Sequence, residues 1–172
     1  MAMNYFELFE IPVQLKVEKA SLPHKYFELS RKYHPDFFVG GSEEEKATAL
    51  DKSAMLNKAF KTFQHPDETI KYVLQLKELL EEEEKYQLPA TFLMEVMEIN
   101  EELMELGENK SLLPNLELRI SQLQDEIYEP VKEIVEGYKE GVTTEKELLQ
   151  VKEYYFKKKY LARIRRQMAG MA

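Results

Sequence analysis

The chain has 172 residues, enough for one domain or two small ones, and 44% of them are apolar, enough to build a core. With 24 Lys and Arg against 32 Asp and Glu, the formal net charge is −8, which argues against a general nucleic-acid binder, because such proteins present a basic face. The lack of cysteine excludes disulfides, Cys-ligated zinc and direct thiolate ligation of an iron–sulfur cluster. Only 6 Gly and 7 Pro occur, and the wealth of Glu, Lys, Leu and Met predicts an all-α protein without long disorder. No apolar run approaches the ~20 residues that span a bilayer, and the acidic N-terminal stretch does not read as a signal peptide, so the cytoplasm is the expected location.

In chain order, Asn4 to Ile11 reads as a short helix with Tyr5, Leu8 and Phe9 on one face. A second helix carries Leu22, Tyr26, Leu29 and Tyr33 at spacings of four, three and four, with Lys25, Arg31 and Lys32 on its other face. Pro23 is tolerated only in a first turn, so this helix either begins near Ser21 or is kinked there. It ends before His34-Pro35-Asp36, because Pro35 cannot donate a backbone hydrogen bond and pushes His34 out of helical geometry. That leaves His34 and Asp36 presented outward in a tight polar loop. A third helix opens at Ser42, with Glu45 three residues on as a capping box, and its apolar positions are read as Ala47, Leu50, Ala54, Leu56, Ala59, Phe60 and Phe63. It stops at Pro66. A fourth helix, Glu68 to Leu80, offers Ile70, Val73, Leu74 and Leu76. The acids Glu81 to Glu84 and then Pro89 disfavour a helix, and this stretch is read as a linker.

Three more helices are predicted beyond it. Thr91 to Leu106 is closed by Gly107. Leu116 to Tyr138 carries a seam of Leu116, Ile120, Leu123, Ile127, Val131, Ile134 and Tyr138 that continues through Pro130, implying a kink. Thr144 with Glu147 forms another capping box, opening a last helix towards Met168 on which Tyr154, Leu161 and Met168 recur every seven residues. Short connections between long seams imply an antiparallel three-helix bundle.

The loop and its surroundings resemble the J-domain, the module that engages DnaK-type chaperone ATPases, and the whole chain resembles the HscB family of iron–sulfur cluster assembly. The resemblance rests on His34-Pro35-Asp36 in its context: Asn4-Tyr5-Phe6-Glu7-Leu8-Phe9 before it, Ser53-Ala54-Met55-Leu56-Asn57-Lys58-Ala59-Phe60 after it, and Phe92-Leu93-Met94-Glu95 at the start of the second half. It runs from Met3 to about Arg165. It implies that His34, Pro35 and Asp36, with Lys25, Arg31 and Lys32, contact a DnaK-type (HscA-like) chaperone ATPase and promote hydrolysis. Family members often carry a basic residue after the Asp. Here Phe37 stands there, followed by Phe38, leaving one positive charge fewer for encounter. The second copy of the tripeptide, His65-Pro66-Asp67, lacks a basic helix before it and is read as a helix boundary, with Asp67 capping the next segment.

The helix from Thr91 to Leu106 is the most telling by periodicity. Phe92, Val96, Ile99, Leu103 and Leu106 complete a core seam at spacings of four, three, four and three, yet Leu93, Met94, Met97 and Met104 lie off it, with Glu98, Glu101 and Glu105 alongside. Exposed Met and Leu make adaptable binding surfaces, although from spacing alone this second face serves equally to pack against the first domain or the linker. The resemblance implies that Leu93, Met94, Met97, Glu98, Glu101 and Glu105, with Phe156 of the last helix, hold an IscU-like iron–sulfur scaffold protein. Met97 replaces the more usual leucine, and Asn100 replaces a basic residue.

The remaining candidates read as structural. Lys157, Lys158, Lys159, Arg163, Arg165 and Arg166 complement a helix C-terminus rather than mark nucleic acid or membrane. His24, His34 and His65 show no metal-ligand spacing, and no nucleophile motif or phosphate-binding glycine loop occurs. The expectation is therefore a J-domain over residues 1–78, a linker over 79–88 and a three-helix scaffold-binding domain over 87–172, with no enzyme activity, no cofactor and no metal. The alternative is a helical interaction protein whose J-like half is inert or serves a different client.

Overall fold

Asn4 starts the fold by capping α1 (Tyr5–Leu8), its side-chain oxygen accepting a hydrogen bond from the Glu7 amide at 2.8 Å. The computed structural model describes residues 3–171; residues 1, 2 and 172, at the outer ends of the two expected domains, lie outside that range. No strand occurs among the described residues, and the chain divides into two units. One runs up to Leu76 and includes Tyr138–Val142; the other holds Lys77–Gly137 and everything from Thr143 on.

In the first unit α1 drives Phe6, Leu8 and Phe9 into the core, where the Phe63 ring lies 4.9 Å from Phe6 and 5.3 Å from Phe9. Tyr5, expected on the buried face, instead stacks on Tyr72 at 4.2 Å at the half-buried edge. One turn of helix is too short for periodicity to select a face. α2 (Leu22–Lys32) has Pro23 in its first turn, where the missing N–H would go unpaired in any case, so no kink forms. Leu22 and Leu29 are buried against α3 (Glu43–Gln64), which opens with the Ser42 hydroxyl accepting from the Glu45 amide at 3.1 Å. Tyr26 stacks on Phe60 at 4.2 Å and donates its hydroxyl hydrogen to Asn57 at 2.6 Å, tying the two helices at the level of their polar edge.

The buried row of α3 is Ala49, Leu56, Ala59 and Phe63, and Leu50 is 60% exposed. This corrects the predicted stripe, in which Ala47, Leu50 and Ala54 also faced inward. Close helix approach favours the row with small residues at Ala49 and Ala59, and Leu50 lies a third of a turn away from it. Pro66 opens α4 (Pro66–Leu76), and the Thr69 hydroxyl lies 3.0 Å from the Thr62 carbonyl and 3.1 Å from that of His65, adding a side-chain tie to two carbonyls that already accept backbone amides at the α3–α4 junction. Asp67 sits within the first turn of α4 and not at the cap position, favourable there through the helix dipole. Leu76 ends the helix partly exposed, short of the predicted Leu80.

The second unit is a bundle of α5 (Ala90–Leu106), α6 (Leu113–Tyr128) continued by the short α7 (Lys132–Glu136), and α8 (Glu145–Met171). Its core joins Phe92, Val96, Ile99 and Leu103 to Leu116, Ile120 and Leu123 and to Leu161, Ile164 and Met168. Gly107 ends α5 at φ +53°, and a β-carbon there would meet nothing within 4 Å, so its requirement is conformational alone. The seam expected to run to Tyr138 is interrupted by a 3-10 turn at Glu129–Val131 around Pro130. The turn shifts the register, so Val131 and Val135 are buried and Ile134 only partly. α8 begins with the predicted capping box: the Thr144 amide donates to the Glu147 carboxylate at 3.0 Å and the Glu147 amide to the Thr144 hydroxyl at 3.2 Å.

Phe63→Ala is expected to cost about 3–5 kcal/mol, since it empties the centre of the first unit's core. Leu50→Ala, on the face the sequence assigned to that core, is expected to change stability by less than about 0.5 kcal/mol. Urea unfolding followed through the near-UV signal of the tyrosines separates the two.

Candidate functional site

The loop after α2 is built by its own residues. His34 stands in extended geometry before the 3-10 turn Pro35–Phe38, and its Nδ1 accepts the Asp36 amide at 3.2 Å. The same Nδ1 lies 3.5 Å from the Asp36 carboxylate, so the ring is tied to Asp36 on either side of its protonation. Behind the loop, the Ser53 hydroxyl donates to the Tyr33 carbonyl at 2.8 Å and fixes the end of α2 on α3. His34 and Asp36 are both exposed, as predicted from Pro35. Phe27, Ser30, Arg31, His34, Asp36 and Phe37 line a recess of about 370 Å³, with Phe27 64% and Phe37 69% exposed.

The three cations assigned to this site are not equivalent. Arg31 lies over the Phe27 ring at 6.0 Å and Lys32 over Tyr33 at 5.4 Å, both exposed. Lys25 is turned away into an ion pair with Glu10 at 2.9 Å. That hydrogen bond raises the Lys25 ammonium pKa, and the same bond holds the Glu10 carboxyl below its ordinary range.

On α5 the seam residues are buried, while Met94, Met97 and Met104 are 63%, 59% and 82% exposed. Leu93 is half-buried, and Glu101 and Glu105 are exposed. Glu98 is engaged: Arg119 of α6 donates to it at 2.9 Å and also pairs with Glu102. Burial alone would lower the Arg119 pKa, but the two carboxylates more than reverse that.

Phe156, expected beside this face, is buried. The Tyr86 ring covers it in parallel at 4.6 Å, held by an ion pair between Glu84 and Lys152 at 2.7 Å. The stretch 79–88, read as a linker from its acids and Pro89, is therefore seated on the second unit, with Leu80 buried in it as well. Charge repulsion within Glu81–Glu84 prevents a helix but not attachment, because Glu84 finds a lysine and Tyr86 a ring. One turn further along the same face of α8 stands Tyr160, half-buried, set edge-on to Phe92 at 6.4 Å and lining a groove with Asn100 and Met104. Its signal in the sequence was its place one residue before Leu161 of the core seam, at the shoulder of the buried stripe. No group of His, Asp or Glu fit to hold a metal occurs among the described residues, and no helix there is long and apolar enough to cross a membrane.

A family model described as the HSCB C-terminal oligomerisation domain matches residues 88–169. The co-chaperone protein HscB homolog of Shewanella halifaxensis is 34% identical over 165 residues, covering 94% of this chain and 92% of that protein. That of Shewanella amazonensis is 41% identical over 105 residues, a match spanning 60% of either chain. The crystal structure of human co-chaperone protein HscB superposes with a TM-score of 0.78 at 30% identity, covering 98% of this chain and 81% of that one. The fold is thus that of a J-domain followed by a helical bundle. The chain belongs to the HscB co-chaperone family.

The Glu84 carboxyl is held below its ordinary pKa chiefly by the hydrogen bond from Lys152. A carboxylate so lowered contributes stability above its unfolded pKa and loses it as pH falls through the lowered value. The ring-current shift of Tyr86 is expected to hold from neutral pH down through the ordinary carboxylate range and to be lost only as pH falls through the lowered Glu84 value. Glu84→Gln should remove that acid step and weaken the strap by roughly 1–2 kcal/mol at neutral pH, read by proton NMR of the Tyr86 ring.

Proposed function

We propose that this protein is a non-catalytic co-chaperone that holds an iron–sulfur scaffold protein on its second unit and presents it to a DnaK-type chaperone ATPase through its first. The observation that carries the reading is α5, which completes a core seam and still leaves three methionines more than half exposed. The scaffold contact is assigned to Leu93, Met94, Met97, Glu101 and Glu105, with Glu98 shared with Arg119, and with Phe156 under its Tyr86 cover joined by Tyr160 one turn along α8. Unbranched thioethers adapt to a partner's shape, and the two free carboxylates select basic residues at its edge.

The chaperone contact is assigned to His34, Pro35 and Asp36, flanked by Arg31 and Lys32. Lys25 contributes only on release from Glu10. A short turn held by internal hydrogen bonds presents His34 with little ordering cost on binding. Two sites on one chain raise the local concentration of scaffold at the ATPase, which favours cluster transfer in the cytoplasm. Neither nucleic acid nor a membrane is a partner in this reading.

Single-turnover ATP hydrolysis by the organism's DnaK-type chaperones tests the first half. Stimulation is expected with the native protein and is expected to fall to the basal rate with His34→Gln. Leu93→Ala combined with Tyr160→Ala is expected to weaken scaffold binding about tenfold or more while leaving stimulation without scaffold unchanged. Absence of stimulation by the native protein would reduce the first unit to an inert appendage of a binding module.

A further inference from the structure

A groove that shares only Tyr160 with the contacts above runs between α5 and α8 and holds about 730 Å³. Leu103, Tyr160 and Ile164 form its floor, Asn100 and Met104 one wall, and Arg163 and Arg166 the other. Leu93, Met97, Asn100 and Met104 follow one another at spacings of four, three and four, so the α5 wall continues the Met-rich ridge. Arg163 and Arg166 are exposed, and neither forms an ion pair among the described residues; Arg163 lies 6.0 Å from the Tyr160 ring centre. Their neighbour Arg165 is engaged, donating to the Ser121 hydroxyl at 3.0 Å.

Charge therefore changes sign across the ridge. On the side towards α6 stand Glu101 and Glu105, exposed and likewise without an ion pair among the described residues. On the side towards α8 stand two guanidiniums over an apolar floor. A partner complementary to this surface carries an apolar strip with cations along one edge and a carboxylate at the other. Docked the opposite way round, it would set like charges against each other, a cost of several kcal/mol.

We infer that the groove takes an acidic side chain of the protein held on the ridge, an Asp or Glu whose carboxylate lies between Arg163 and Arg166 beside an apolar residue on Leu103, Tyr160 and Ile164. The guanidinium fork fits a carboxylate geometrically, and the apolar floor lowers the local dielectric in which the pair forms. The inference rests on the reading of the ridge as the scaffold-binding face. It adds an orientation-setting contact that the ridge alone lacks.

The test titrates the full chain with the organism's iron–sulfur scaffold protein at about 50 and about 300 mM salt. Arg163→Glu with Arg166→Glu is expected to weaken binding about tenfold at the lower salt and less at the higher, with helical content unchanged. Arg163→Lys with Arg166→Lys is expected to lose only part of the affinity, because charge remains without the fork. Lys132→Glu with Lys146→Glu, an equal change of net charge elsewhere on the unit, is expected to leave affinity within about twofold. Undiminished binding by the Arg163→Glu, Arg166→Glu chain, or an equal loss in the Lys132→Glu, Lys146→Glu chain, would overturn the groove contact while leaving the ridge standing if Leu93→Ala with Met97→Ala still abolishes binding. A native chain that does not bind the scaffold would overturn both.

Discussion

A helix in a three-helix bundle can bury only the arc that its two neighbours reach, and the burial of Phe92, Val96, Ile99 and Leu103 settles which arc of α5 that is. Rotating α5 by one residue would bring Leu93 and Met97 inward and force Phe92 and Val96 into water, at about 1.5–3 kcal/mol for each large side chain exposed. Arg119 adds a second lock by gripping Glu98 and Glu102 from α6. The direction of the Met-rich ridge is thus dictated by the core behind it. The orientation that the core imposes also aligns Asn100 and Met104 with α8, so ridge and groove form one surface.

The first unit solves a related problem by different means. A short loop has no core of its own, so its conformation rests on what its ends are attached to. Pro35 fixes the turn, His34 caps it, and Ser53 holds the preceding carbonyl against α3. Leu22 and Leu29 seat α2 beneath it. The exposed side chains of His34 and Asp36 are therefore carried on a rigid base, the condition under which a few polar groups can recognise a partner precisely enough to matter.

Much of this was legible in the sequence where one force dominates. Capping at Ser42 and Thr144, the stop at Pro66, the core seam of α5 and the outward loop at His34 each depend on local chemistry or on a single long period. Three features were not, for three reasons. The buried row of α3 was chosen by how closely α2 approaches, which favours Ala49 over Leu50 and cannot be read from hydrophobicity. The break at Pro130 was known as a weakness, but whether the chain kinks or shifts register depends on what Val135 meets. The burial of Phe156 is decided by Tyr86, seventy residues earlier, in a stretch whose acids suggest that it packs on nothing.

The exposure of the ridge has a chemical side as well as a mechanical one. Met94, Met97 and Met104 are open to solvent, whereas Met168 in the bundle core is 3% exposed. An oxidant therefore reaches the ridge before it reaches the fold. Conversion of those thioethers to sulfoxides would lay polar, chiral groups along an apolar strip, without disturbing a seam residue beneath it. Such a chain would remain folded, with its histidine loop intact, and reduction of the sulfoxides would restore the apolar strip.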